Sequence, residues 1–167
     1  MTYEVLSRWG IDEDAVFALG EQNTSTDGPL RVEQADFPEG TGPWFLLAGN
    51  DYTSAHALWL DEYPAVIGRV GALFTVPAEL GIYAAPIDGL DILETALTLA
   101  SVAAHRYRND PYPTSPHLYR WCGGHIELAV SVRSDDKSLS LLPTDEFVTL
   151  LNQQCQPGLL HLCTPQM

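Results

Sequence analysis

A chain of 167 residues with 46% hydrophobic and 18% charged side chains is long enough for one domain with a real core and too short for two of ordinary size. Against 22 acidic residues stand 8 basic ones, a formal charge of −14, which repels nucleic acid and anionic lipid and speeds association with a basic partner. The longest apolar stretch, Leu90 to Ala104, is shorter than a bilayer span and holds Asp91 and Glu94, and no basic-then-apolar leader opens the sequence, so a cytoplasmic protein away from membranes is expected.

The N-terminal part reads as helix, then strand, then helix. Thr2 can cap a helix ending at Gly10, and Asp12 can cap a second whose first turn carries Glu13 and Asp14, where anions favour the macrodipole. Leu30 and Val32 alternate with Arg31 and Glu33 as in an edge strand, and Trp44 to Ala48 suits a buried strand. Asp51 or Thr53 opens a third helix that Pro64 stops near Tyr63.

Ala72 to Val76 and Leu80 to Ala85 read as central strands, apolar on both faces. The strongest helical signal follows, from about residue 89 to 106, with Asp88 as cap. Leu90, Leu93, Leu97, Ala100 and Ala104 form one apolar stripe and Ile92, Ala96, Leu99 and Ala103 another, which predicts a largely buried helix with Leu93, Leu97 and Ala100 against the sheet. Strands resume at Leu118 to Cys122 and His125 to Val132, with a short one at Leu139 to Leu142. Thr144, with Asp145 and Glu146 in the first turn, starts a last helix. The expected fold is α+β: one domain, residues 1–167, with a mostly antiparallel sheet of about five to seven strands on a long buried helix, and shorter helices at both ends.

The stretch Trp121-Cys122-Gly123-Gly124-His125 raises the question of a metal or nucleophile site. A two-residue Gly-Gly loop is the sequence of a type I′ or II′ hairpin, and that register sets Cys122 opposite His125, Trp121 opposite Ile126, Arg120 opposite Glu127 and Tyr119 opposite Leu128. The glycines are explained without chemistry, and the hairpin supplies no further ligand. Cys155, His161 and Cys163 lie close only in sequence, and the other histidines have no ligand spacing. Asp61-Glu62 and Asp135-Asp136 fall where solvated turns are expected. Three cysteines without a CxxC pair argue against a disulfide framework and fit a reducing compartment. No catalytic constellation, metal site or cofactor site is therefore expected.

With the elements placed, Leu6-Ser7-Arg8-Trp9-Gly10-Ile11 followed by Asn23, Asp51-Tyr52-Thr53-Ser54-Ala55 opening a helix, and Leu73-Phe74-Thr75-Val76-Pro77 before a second strand and long helix carry a resemblance. Their order resembles the C-terminal half of an uncharacterised bacterial family known only as a domain of unknown function, across residues 1–132. Ala78-Glu79 stands where that family often has a polar or basic pair with arginine. The resemblance implies an α+β domain and brings no activity, substrate or catalytic residue.

Charge points to the surface that matters. Residues 1–62 hold 12 acids against Arg8 and Arg31, whereas residues 63–167 hold 10 acids against 6 bases. The reading is a non-enzymatic acidic protein-binding domain, immunity-like or inhibitor-like, with Asp12, Glu13 and Asp14 on its acidic face and a basic protein as partner. The connection Tyr107 to Trp121 concentrates Tyr, Trp, Arg and Pro, the side chains of binding hot spots on a stiffened path. It nominates Arg108, Tyr112 and His117 as a second contact surface, which in a homo-oligomer would meet the acidic third of another copy. The alternative is a small-ligand binder or enzyme with an unmotifed pocket lined by Tyr52, Trp59 and Tyr83.

Overall fold

The structure, a computed structural model, describes residues 12–35, 42–135 and 138–154. The predicted helix from Thr2 to Gly10, and Cys155, His161 and Cys163, lie outside the described residues. The chain is α+β. In order it forms α1 (Glu13–Thr26), β1 (Arg31–Gln34), β2 (Phe45–Ala48), a 3-10 segment (Thr53–Glu62) with a short continuation (Pro64–Val66), β3 (Ala72–Ala78), β4 (Gly81–Pro86), α2 (Ile92–Asn109), β5 (Leu118–Cys122), β6 (His125–Ser134), β7 (Leu139–Pro143) and α3 (Asp145–Gln154). The seven strands make one sheet in the order β1-β2-β4-β3-β5-β6-β7, and each neighbouring pair is antiparallel.

Two cores sit on the two faces of this sheet. Successive side chains of β3 point to opposite faces. Leu73 joins Leu99, Ala100 and Leu118 under α2, and Ala72, Phe74 and Val76 join Leu60, Val66 and Trp121 under the 3-10 segment. Coverage on both sides is why all seven residues of β3 are buried, as apolar residues on both of its faces predict.

The Gly-Gly hairpin has the predicted register at all four positions, with Gly123 and Gly124 at positive φ and Arg120 donating to the Glu127 carboxylate at 2.7 Å. Asp12 caps α1 by accepting the Ala15 N–H at 2.7 Å, and the Thr144 hydroxyl accepts the Phe147 N–H at the start of α3.

Four expectations are corrected. The helix predicted from about 89 to 106 runs from Ile92 to Asn109 and is buried on one stripe only. Ile92, Thr95, Ala96, Leu99, Ala100 and Ala103 lie inside, while Leu93 and Leu97 are 50% and 55% exposed. A sheet covers one side of a helix, and the small Ala side chains let that side approach it. Asp88 does not cap α2: it accepts the Arg69 backbone N–H at 2.7 Å, and Asp91 takes the cap position. The predicted third helix is a 3-10 segment, broken by non-helical torsions at Trp59. Cys122 is disulfide-bonded, against the expectation of unpaired thiols, and its partner lies outside the described residues.

One turn escaped the sequence reading. Gly68 to Gly71 closes on itself through reciprocal backbone hydrogen bonds of 2.9 and 3.1 Å and packs against Ile87 and Trp121. Gly71 has φ +108°, and a Cβ there would collide with the Trp121 carbonyl oxygen, so both conformation and space require glycine.

Candidate functional site

The acidic face is built by α1 and the 3-10 segment. In α1 the apolar residues Ala15 to Leu19 are consecutive, so they wrap around the helix instead of forming one stripe. Phe17 and Leu19 consequently stand in solvent at 65% and 51% exposure, among Asp12, Glu13, Asp14 and Glu21. Thr24 is the buried polar residue of the helix, and its hydroxyl is satisfied by the Gly20 carbonyl at 2.9 Å.

The 3-10 segment opens on an Asn50 turn, in which the Asn50 side-chain oxygen accepts the Tyr52 N–H and the Thr53 hydroxyl donates to the Asn50 carbonyl. Its tight winding turns His56, Ala57 and Leu60 inward and leaves Trp59 half-buried and Leu58 exposed.

His56 is 2% exposed and fixed by a chain of hydrogen bonds. The Leu30 backbone N–H donates to the Tyr63 hydroxyl oxygen at 3.0 Å, and that hydroxyl lies 2.7 Å from His56 Nδ1. The Tyr63 hydroxyl thus joins the Leu30 backbone to the imidazole in one buried chain of hydrogen bonds. Burial pushes the His56 pKa below its ordinary value, opposed by the carboxylates of Glu62 and Asp27, and burial likewise raises Tyr63. Nε2 is buried and has no hydrogen-bond partner among the described residues. The ring stands edge-on to Trp59, with centroids 6.0 Å apart.

Between α1 and this segment opens a cleft of about 240 Å³ lined by Ala18, Glu21, Gln22, His56, Trp59 and Glu62. The lining offers two carboxylates and an indole face, with no cation, hydroxyl or thiol among its residues. Such a set attracts an ammonium or guanidinium group by charge and by cation–π contact. It provides no nucleophile, and no group of three or more His, Cys, Asp or Glu placed to hold a metal occurs among the described residues.

The sequence-nominated residues fall on separate elements of the fold. Asp12, Glu13 and Asp14 are exposed at the start of α1, as expected for an acidic face. Arg108, in the last turn of α2, donates to the Ser134 hydroxyl at 2.8 Å. Tyr112 is 71% exposed at φ 55°, a strained conformation for a non-glycine residue, and its carbonyl accepts the Glu79 N–H. His117 is turned inward: its Nδ1 accepts the Val132 backbone N–H at 3.1 Å, so the ring ties the connection to β6. Tyr52, Trp59 and Tyr83 do not share a pocket. Tyr52 is exposed, Trp59 lines the acidic cleft, and Tyr83 lines a separate cavity with Leu46, Arg106 and Asp110. The sequence reading missed His56, Glu21 and Glu62 as a group, because Glu21 stands 35 and 41 positions before His56 and Glu62 in the chain.

No known protein family, curated protein or solved structure matches the chain.

Proposed function

We propose that the chain is a non-enzymatic protein-binding domain, immunity-like or inhibitor-like, whose acidic cleft seats a cationic side chain of a basic partner. The observation that carries this reading is the lining of the cleft: Glu21 and Glu62 supply charge and Trp59 an aromatic wall, beside a helix that exposes Phe17 and Leu19. A positively charged side chain would enter with its stem against the indole, while the apolar residues of α1 would meet apolar neighbours on the partner. The acidity of the surrounding face would steer the encounter. Among the described residues no helix is long and apolar enough to cross a membrane.

A labelled Arg-containing peptide titrated against the full chain tests the reading. Glu21→Gln and Glu62→Gln should each weaken binding by about 3–10-fold, whereas Glu79→Gln, outside the cleft, should leave it unchanged. Equal losses for all three variants would reduce the effect to net charge and remove the cleft from the account. The small-ligand alternative has an observation in its favour, the unpartnered Nε2 of His56, to which a small polar ligand would hydrogen-bond. Free arginine competing fully with the peptide at equal concentration would favour that alternative. For self-association, sedimentation at two salt concentrations is decisive: a monomer at tens of micromolar in low salt excludes a second copy as partner.

A further inference from the structure

The apolar stripe that α2 leaves uncovered lies on the face of the sheet opposite the 3-10 segment, so it forms a surface separate from the acidic cleft. Leu90, Leu93 and Leu97 recur at helical spacing and are 47%, 50% and 55% exposed. They face α3, where Val148 is partly exposed and Phe147 and Leu151 are buried. Together these side chains wall an apolar groove of about 410 Å³, floored by β6 and β7.

Both helices that wall this groove begin with acids. Asp91 and Glu94 flank the start of α2, Asp145 and Glu146 form the first turn of α3, and all four are exposed. No basic residue lines the groove, and the arginines in the last turn of α2 are engaged elsewhere, Arg106 with Asp110 and Arg108 with Ser134. Two helical walls with apolar faces fit a third helix in the gap, by the same ridge-and-groove packing that joins helices in a core. The exposed acids in the first turns of both walls select the charge of that helix. We propose that the α2/α3 groove docks an amphipathic helix of another protein, one whose leucine-type stripe is flanked by Lys or Arg.

Two other occupants are less suited on charge. The described helices of a second copy carry acidic first turns, and α1, the one whose apolar residues are free of the core, has no Lys or Arg. Residues 155–167 of the chain contain Leu159, Leu160 and Leu162 but again no Lys or Arg.

The test uses the full chain and a fluorescein-labelled helical peptide of about 18 residues, with Leu on one face and Lys on the other, followed by anisotropy at physiological salt. Leu93→Asp and Leu97→Asp should each weaken binding by roughly tenfold or more, although each adds an acid to an already acidic protein. Val148→Asp does the same from the other wall and serves if an α2 variant unfolds, which circular dichroism would show. Glu21→Gln, in the acidic cleft, should have no effect. Binding retained or strengthened in the three Asp variants would overturn the proposal, because the peptide would then be held by charge alone. So would an affinity raised tenfold by replacing Leu159, Leu160 and Leu162 together with Ser, since the groove would then belong to the chain's own C-terminal segment.

Discussion

Leu97 and Leu99 are two residues apart on α2 and chemically identical, yet the fold gives them opposite stability costs. Leu99 is fully buried between α2 and the sheet, where truncation to Ala removes apolar atoms and leaves a cavity that the flanking strands cannot fill. Core Leu→Ala changes cost about 3–5 kcal/mol, a large fraction of the 5–15 kcal/mol that holds a domain together. For a chain of this size that is a fall in Tm of about 6–20 °C. Leu97 is 55% exposed, so less than half of its transfer free energy is at stake, about 1 kcal/mol, and the better helix propensity of Ala recovers a few tenths. Urea denaturation followed by circular dichroism should show a clear fall in midpoint for Leu99→Ala with unchanged m, and a shift equivalent to less than about 1 kcal/mol for Leu97→Ala. Equal losses at the two positions would mean that the Leu93/Leu97 stripe is covered, and the account of α2 as a one-sided helix would fail.

Other expectations concern single groups. Thr75 is fully buried and its hydroxyl has no partner among the described residues, so Thr75→Val should stabilise by about 1 kcal/mol in the same assay; destabilisation would reveal a missing acceptor. His56 is held below its ordinary pKa of 6.5, so the unfolded chain binds the proton more readily: its contribution is fully present above pH 6.5 and is lost as pH falls through the lower folded value. An NMR titration of the His56 ring that gave a midpoint at or above 6.5 would contradict the buried neutral ring. Alkylation followed by intact-mass measurement should label one thiol of the three without reductant and all three with it; three labels in both conditions would refute the Cys122 disulfide.

What was legible in the sequence depended on whether a local rule had a single solution. Gly123-Gly124 permits one tight turn, and that turn fixes every cross-strand pair of the hairpin, so the Arg120–Glu127 ion pair could be named in advance. β3 has apolar residues on both faces, which can be buried only between two layers, and they are. The periodicity of α2 had two solutions, because both stripes are apolar, and only the number of layers in the assembled fold decides between them. Asp88 suits a cap by sequence, but its carboxylate is taken by the backbone N–H of Arg69, a residue from a distant turn. The acidic cleft is a meeting of α1 with the 3-10 segment across two intervening strands, a contact that neither composition nor spacing encodes.

The strand order also governs how such a chain reaches its native state. The pairs β3–β4, β5–β6 and β6–β7 join consecutive strands through short connections, whereas β3–β5 must close across the whole of α2. Loop closure of that length is the entropic obstacle to be overcome before the sheet becomes continuous. Burying Leu99 and Ala100 against β3 while β5 docks beside it would reward the closure as it occurs. Truncations on the inner stripe of α2 are accordingly expected to slow folding, and changes in the outlying strand β1 to act mainly by hastening unfolding.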